Sequence, residues 1–198
     1  MPAPARVLVL HGWHGSGEGH WQPWLADELR AAGHHVAFPD LPACDEPCPH
    51  AWGGTLHAQL ALLAAAPGGE RVVVAHSLGC VLWLREAARV APAHRPDRVV
   101  LVAPPCRDAR VPQLADFYPA DADEAAVRAA AGSTRLVCSD DDPYCPHVDG
   151  ARTAWGAPLG IPTDLLPGQG HLNVEAGYGA WPAMLDLVLG RAASLALA

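Results

Sequence analysis

The chain has 198 residues, about half of them hydrophobic, and its 13 basic and 21 acidic side chains give a formal net charge of −8. This length and composition argue against disorder and predict a single domain, residues 1–198, with a sizeable core. An acidic chain without a basic cluster argues against a nucleic-acid partner or an anionic-membrane partner.

The first apolar run is too short for a targeting or membrane segment. His11 ends the run that begins at Val7, whereas a secretory signal needs about 7–15 apolar residues and a membrane span about 20. The sequence therefore predicts a cytoplasmic protein.

Strand and helix patterns alternate along the first third of the chain. The apolar run Arg6–Leu10 predicts a strand buried on both faces, and a glycine-rich turn follows it. The next predicted elements are a helix, a short strand, an irregular proline-rich segment and a second helix, at residues 20–32, 35–38, 39–49 and 55–66.

The segment around Ser77 has the pattern of a nucleophile elbow. A β-branched run, Arg71–Ala75, leads into this serine, and a helix-forming stretch, Val81–Val90, follows. Strand and helix backbones approach closely at such a turn, so small residues are needed two positions before and two after the serine. Gly79 meets this need, and Ala75 stands where the usual pattern has glycine.

The alternation continues after the elbow. We expect strands at residues 98–103, 135–139 and 163–166, helices at 121–131, 149–155 and 182–197, and a loop at 104–120. Gly190 is a candidate break in the last helix. About six strands separated by helices predict the α/β class, with a mostly parallel sheet covered by helices on both faces.

Two loops downstream of Ser77 supply the partners that a serine nucleophile needs. His171 follows the strand at 163–166 and is the predicted base. A carboxylate that accepts a hydrogen bond from the other ring nitrogen of His171 would fix the tautomer of the imidazole. Of the three aspartates after the preceding strand we predict Asp142, because Pro143 biases it toward an extended backbone. Asp141 is the alternative, and the rest of the triplet is expected to be a solvated turn.

The order serine, acid, histidine is that of an α/β-hydrolase triad, with each residue just past a predicted strand. Loops at the carboxyl ends of parallel strands converge at one edge of the sheet. The developing oxyanion also needs backbone N–H donors, which we expect from Leu78, after the nucleophile, and from Trp13, in the loop after the first strand.

Ser77 alone would more often be a helix N-cap than a nucleophile. The ordered acid and histidine loops favour the nucleophile. A protein of another class, a binding protein with a weak or idle triad on the same scaffold, is the alternative hypothesis. Five residues are expected in the pocket walls: His14, Cys106, Phe117, Tyr144 and Cys145.

The six cysteines are scattered without C-x-x-C pairs, so free thiols are expected in a reducing compartment. No set of cysteine, histidine and acidic residues has zinc-site spacing, so neither a metal nor a cofactor is predicted.

With these residues in place, the chain resembles the small serine hydrolases related to retinoblastoma-binding protein 9, in particular their short bacterial members. The resemblance spans nearly the whole chain. It rests on His11-Gly12-Trp13, His20-Trp21-Gln22, His76-Ser77-Leu78-Gly79-Cys80, Val102-Ala103-Pro104-Pro105, Ser139, Asp141-Asp142-Pro143-Tyr144-Cys145, Gly170-His171-Leu172-Asn173 and Gly179-Ala180-Trp181-Pro182.

The resemblance implies a triad of Ser77, Asp142 and His171 in an α/β-hydrolase fold with little or no cap domain. Residues 104–131 are the only insertion large enough to cover the site. Substrates are poorly defined across this family, so the resemblance implies a mechanism more than a substrate. We therefore expect a serine hydrolase that acts on a small acyl substrate, most simply a carboxylic ester, with thioesters or amides as alternatives.

Overall fold

A six-stranded parallel sheet is the framework of the molecule. The computed structural model describes residues 3–108, 111–118 and 120–195. Within them the strands run in the order β2-β1-β3-β4-β5-β6, with every neighbouring pair parallel. Their bounds are Arg6–Leu10 (β1), His35–Ala37 (β2), Arg71–His76 (β3), Arg98–Val102 (β4), Ser133–Cys138 (β5) and Thr163–Leu165 (β6). The predicted α/β class and mostly parallel sheet are confirmed.

The central strands are continuous apolar runs because both faces of the sheet are covered. Successive side chains of a strand point to opposite faces. Leu8 and Val73 accordingly belong to one buried cluster, and Val7 and Val72 belong to the other. All four side chains are fully buried, so neither face needs the polar residues that an exposed sheet face would show.

Helices cover both faces of the sheet. Their bounds are Trp21–Ala31 (α1), Pro49–Ala65 (α2), Leu78–Glu86 (α3), Glu124–Ala130 (α4) and Pro182–Val188 (α5). Apolar residues of α1 and α5 pack into one cluster, and those of α2, α3 and α4 pack into the other. None of the helices in the described residues is both long and apolar enough to cross a bilayer.

Several predicted helix bounds are wrong, for local reasons. α2 begins at Pro49 rather than at residue 55, because the fixed φ of proline suits the first helical position. α3 begins at Leu78, immediately after the elbow. α5 ends at Val188, ahead of Gly190 with its φ of +67°. The predicted end of this helix, Leu197, lies outside the described residues.

Two short irregular helices also differ from what the sequence predicts. The segment expected as a loop at 104–120 contains a 3₁₀ helix, Pro112–Phe117, and the predicted helix at 149–155 is a π-helical turn, Arg152–Gly156. Both elements lie in connections on the carboxyl side of β4 and β5. The loops that carry the predicted site residues leave the sheet at this same edge.

Candidate active site

Three predicted site residues form one hydrogen-bonded chain at the carboxyl edge of the sheet. His171 Nε2 lies 2.9 Å from Ser77 Oγ, and His171 Nδ1 lies 2.8 Å and 3.0 Å from the two carboxylate oxygens of Asp142. The Asp142 and His171 side chains are 1% and 8% exposed. With Nδ1 donating to the carboxylate, Nε2 is free to accept the serine proton.

The elbow holds Ser77 in a strained conformation. Its φ and ψ are 53° and −124°, a combination uncommon for a residue with a side chain. The Ser77 amide donates to the carbonyl of Val102 on the neighbouring strand, at 2.9 Å. Such strain persists only where the surroundings impose it, and it commonly marks functional sites.

Close backbone approach at the elbow explains two glycines. A Cβ added at Gly79 would lie 2.6 Å from the His11 carbonyl oxygen, and one at Gly12 would lie 2.7 Å from Ser77 Cβ. Ala75, in the place where glycine is usual, is a fully buried core residue. The alanine is therefore accommodated on the strand side, whereas the helix side of the elbow requires glycine.

We expect Gly79→Ala to lower the free energy of unfolding by about 2–3 kcal/mol, because backbone must shift to admit the methyl group. Gly54→Ala is the matched control, since Gly54 is exposed within α2 and its added Cβ would meet nothing within 4 Å. There the same change should raise the free energy of unfolding by up to about 1 kcal/mol. Urea unfolding of both variants measures the difference, and equal effects would contradict the close-approach explanation.

The three consecutive aspartates have separate partners. Asp142 contacts His171, as predicted. Asp141 Oδ1 accepts from the Gly170 amide at 2.7 Å, and Asp140 Oδ1 accepts from the Gly168 amide at 2.8 Å. Hydrogen bonds from Ser139 and Gly170 lower the pKa of the Asp141 carboxyl. Asp140 and Asp141 are exposed, as expected of a solvated turn. Their carboxylates also accept hydrogen bonds from the backbone of the histidine loop, which the sequence did not predict.

Aromatic side chains support the histidine loop from the buried side. His76 Nε2 donates to the His171 carbonyl oxygen at 3.0 Å, and Trp21 Nε1 donates to the Leu172 carbonyl oxygen at 2.9 Å. Leu172 has a φ of 51°, so the loop turns sharply just after the histidine. These contacts fix the backbone that carries the imidazole.

Two histidines that the sequence left without a role pack beside the triad. The ring of His76 lies 4.9 Å from that of His20 and 5.0 Å from that of His171, centroid to centroid. Burial, reinforced by His171, lowers the pKa of His20 to about 4. Burial also lowers the pKa of His76, with His171 and His20 adding to the effect. Both rings therefore stay neutral near pH 7, which limits repulsion when His171 takes up a proton.

The low pKa of His20 predicts acid-sensitive stability. The unfolded chain binds a proton at this residue near pH 6.5, whereas the folded chain does so only near pH 4. Stability should therefore fall as the pH drops through 6.5, by on the order of 2 kcal/mol at pH 5 from this residue. His20→Asn removes the titration and keeps an oxygen that can accept from the Gln22 amide at the start of α1.

We expect the free energy of unfolding of His20→Asn to change less between pH 7 and pH 5 than that of the unmodified chain. Urea unfolding at the two pH values gives both differences. Equal differences would show that His20 does not contribute to the acid sensitivity.

The two residues predicted to supply the oxyanion donors, Trp13 and Leu78, line the same pocket as Ser77. Leu78 is the first residue of α3, where helical N–H groups have no intrahelical acceptor. Among the described residues, no acceptor is paired with the Trp13 amide. The next amide, that of His14, donates to the Cys44 carbonyl oxygen at 3.0 Å, and Trp13 Nε1 donates to the Asp45 carbonyl oxygen at 3.0 Å. The proline-rich segment after β2 thus fixes the loop that carries Trp13.

A pocket of about 320 Å³ opens over Ser77, at the small end of the usual range for ligand sites. The insertion after β4 forms part of its wall through Val111, Leu114 and Tyr118. His14 and Tyr144 lie in the wall, as predicted. Phe117, Cys106 and Cys145 do not: Phe117 is fully buried against Trp52, and the two cysteines are buried in a disulfide.

The expectation of free thiols is wrong for one pair of cysteines. Cys106 and Cys145 form a disulfide with Cα atoms 4.7 Å apart, across 39 positions of sequence. The bridge joins the loop after β4 to the loop of Asp142, a contact that the spacing of cysteines does not reveal. The other four, Cys44, Cys48, Cys80 and Cys138, are free.

Two sequence comparisons match the chain along nearly all of its length. A family model described as serine hydrolase matches residues 7–189. A Bacillus subtilis (strain 168) protein named "Putative hydrolase YdeN" is 27% identical over 184 residues, which cover 92% of this chain and 94% of that protein.

Solved structures show the same fold. The ydeN gene product of B. subtilis superposes with a TM-score of 0.79 at 22% identity, covering 94% of this chain and 97% of that one. The esterase domain of a Rhodothermus marinus protein superposes with a TM-score of 0.61 at 18% identity, covering 96% and 89%. The predicted α/β-hydrolase fold is confirmed.

Proposed function

We propose that this chain, which belongs to the serine hydrolase family, hydrolyses small carboxylic esters with Ser77 as nucleophile, His171 as base and Asp142 as the acid that orients the base. One observation carries the proposal: an unbroken hydrogen-bonded chain from Asp142 through His171 to a strained serine that lines a pocket. The esterase domain among the similar structures supports an ester substrate.

In the first half-reaction the Ser77 oxygen attacks the ester carbonyl while its proton passes to His171 Nε2. The Leu78 and Trp13 amides stabilise the negative charge on the carbonyl oxygen of the tetrahedral intermediate. His171 then returns the proton to the departing alkoxide, and the acyl group remains on Ser77 as an ester. Asp142 keeps the imidazole oriented and stabilises its protonated form.

In the second half-reaction water replaces the alcohol. His171 takes a proton from the water, the resulting hydroxide attacks the acyl-enzyme, and the same amides stabilise the second tetrahedral intermediate. Collapse of this intermediate returns the proton to Ser77 Oγ and releases the carboxylic acid. The cycle uses only groups of this chain and water.

The pocket favours a small, largely apolar acyl or alcohol group. Leu78 and Pro105 line it together with the three residues of the insertion, and Asn173 and Glu175 add polar side chains. The volume of about 320 Å³ is at the small end of the range for ligand sites. We therefore expect short acyl esters to be preferred.

An acyl-length series tests the proposal. Hydrolysis of 4-nitrophenyl esters from acetate to decanoate should show kcat/KM highest for the short chains and falling for the long ones. Comparing kcat/KM for a thioester and an anilide that carry the preferred acyl group then ranks the ester, thioester and amide leaving groups. The Ser77→Ala variant is the blank for each substrate. A folded chain that hydrolyses none of them faster than this blank would contradict the proposal and favour a binding protein on a hydrolase scaffold.

A further inference from the structure

The two loops joined by the disulfide also bring together polar groups outside the catalytic site. The Cys106 sulfur, an Asp108 carboxylate oxygen and a His147 ring nitrogen all lie within 4.8 Å of one another. Cys145 Sγ is bonded to Cys106 Sγ and is therefore adjacent. We call these four residues the loop cluster: Cys106, Asp108, Cys145 and His147.

The loop cluster borders a cleft. The cleft has a volume of about 400 Å³, and Cys106, Asp108 and His147 line it. Cys106 is buried, whereas the side chains of Asp108 and His147 are 74% and 48% exposed. The buried cysteine thus lies at the cleft wall, and the two exposed side chains beside it are accessible to an ion in the cleft.

Two backbone hydrogen bonds, one between the loops and one within the acid loop, hold the cluster independently of the disulfide. The Cys106 amide donates to the Tyr144 carbonyl oxygen at 3.0 Å, which fixes one loop against the other. The His147 amide donates to the Cys145 carbonyl oxygen at 2.8 Å, which fixes the turn that carries the imidazole. After reduction, these contacts would keep the two thiols close to each other and to His147.

Arg107, which lies between Cys106 and Asp108 in the sequence, makes its contacts outside the loop cluster. Arg107 stacks over the Trp155 ring at 4.6 Å and donates from Nε to the Ala154 carbonyl oxygen at 2.9 Å.

Within the loop cluster, His147 Nε2 lies 3.8 Å from a carboxylate oxygen of Asp108. Donor atoms of a tetrahedral zinc site are roughly 3.3–3.8 Å apart, given its bond lengths of about 2.0–2.3 Å. Small side-chain movements would therefore suffice.

We propose that reduction of the Cys106–Cys145 disulfide converts the loop cluster into a zinc site that joins the same two loops. Two thiolates, an imidazole and a carboxylate are a ligand set that suits zinc, and the thiolates disfavour calcium and magnesium. In the reductive step the S–S bond breaks and each sulfur takes a proton. Two thiols of the reductant, which join in a new disulfide, supply the two electrons and two protons, or a phosphine and water do so and leave a phosphine oxide. Zinc binding then releases both thiol protons.

The two states would be alternative crosslinks between the insertion and the acid loop. The Cys145 amide donates to the Asp142 carbonyl oxygen at 3.0 Å, so the crosslink lies next to the residue that contacts His171. The disulfide would anchor this loop under oxidising conditions, and zinc would anchor it under reducing conditions. The proposal does not depend on the ester substrate, because its readout is metal binding.

The test compares oxidised chain with chain reduced by a phosphine, titrated with zinc against a chromophoric chelator. We expect the reduced chain to bind one equivalent of zinc and the oxidised chain to bind none. Cobalt added in place of zinc should give a thiolate-to-metal charge-transfer absorption. The melting temperature of the reduced chain should rise on zinc addition, because the ion binds the folded form.

His147→Ala is the decisive variant, since this exposed side chain can be removed without disturbing the core. We expect it to weaken zinc binding by roughly 10–100-fold or more, because losing even an outer partner of a metal ligand costs that much. His94→Ala, on the turn after α3, is the matched control and should bind zinc as the unmodified chain does. Equal affinity in both variants, zinc binding by the oxidised chain, or none by the reduced chain would overturn the proposal.

Discussion

Replacing Ser77 with alanine is expected to lower kcat on the best 4-nitrophenyl ester by roughly 10⁴–10⁶-fold. The change removes the hydroxyl that lies 2.9 Å from His171 Nε2 and nothing else of the site. Any remaining rate would come from direct attack of water on the bound ester, with the oxyanion donors still stabilising the tetrahedral intermediate. Initial rates with the purified variant, compared with buffer alone, measure the loss.

The fold should survive this substitution, which makes the result interpretable. Alanine keeps the Cβ of Ser77, so the variant meets the same positive φ and the same contacts at the elbow. The melting temperature is expected to stay within a few degrees of that of the unmodified chain. A folded Ser77→Ala chain that retains more than a tenth of the activity would show that another group is the nucleophile.

Asp142→Asn is expected to lower kcat by about 10⁴-fold, the effect of the corresponding change in a well-studied serine protease. An amide in place of the carboxylate can donate to Nδ1 and so favour the tautomer in which Nε2 carries the proton and no longer accepts from Ser77. The variant also loses the charge that stabilises the protonated imidazole. Steady-state rates against the unmodified chain measure this effect.

Asp141→Asn is the matched control, because it makes the same chemical change one residue away. An asparagine there keeps an oxygen to accept from the Gly170 amide, so the histidine loop should stay in place. We expect its kcat to fall by less than about tenfold, since the two hydrogen bonds from Ser139 and Gly170 remain and lose only their charge assistance. A larger loss for Asp141→Asn than for Asp142→Asn would reverse the assignment of the acid.

Much of the fold follows from local sequence patterns. Runs such as Val72–Ala75 are apolar at every position because both faces of the sheet are buried, and this signal needs no knowledge of distant residues. The elbow is equally local, since Ser77 and Gly79 stand two positions apart. The convergence of the Asp142 and His171 loops could be predicted because parallel strands end at one edge.

Contacts that depend on tertiary packing could not be predicted in this way. The disulfide joins loops whose cysteines are 39 positions apart, and these loops meet because β4 pairs with β5. The cluster of His20, His76 and His171 assembles from three segments, although His76 directly precedes the nucleophile and could have been suspected. Phe117 was expected in the pocket wall, but the direction of one side chain in an irregular insertion is not encoded in a sequence pattern.

The most direct test of the central claim is covalent labelling with a fluorophosphonate probe, followed by mass spectrometry to locate the adduct. The probe reacts with a serine only when a neighbouring base activates it. We expect one adduct on Ser77 in the unmodified chain and none in Ser77→Ala. A folded chain that resists the probe, or an adduct on another residue, would contradict the proposal that Ser77 is an activated nucleophile.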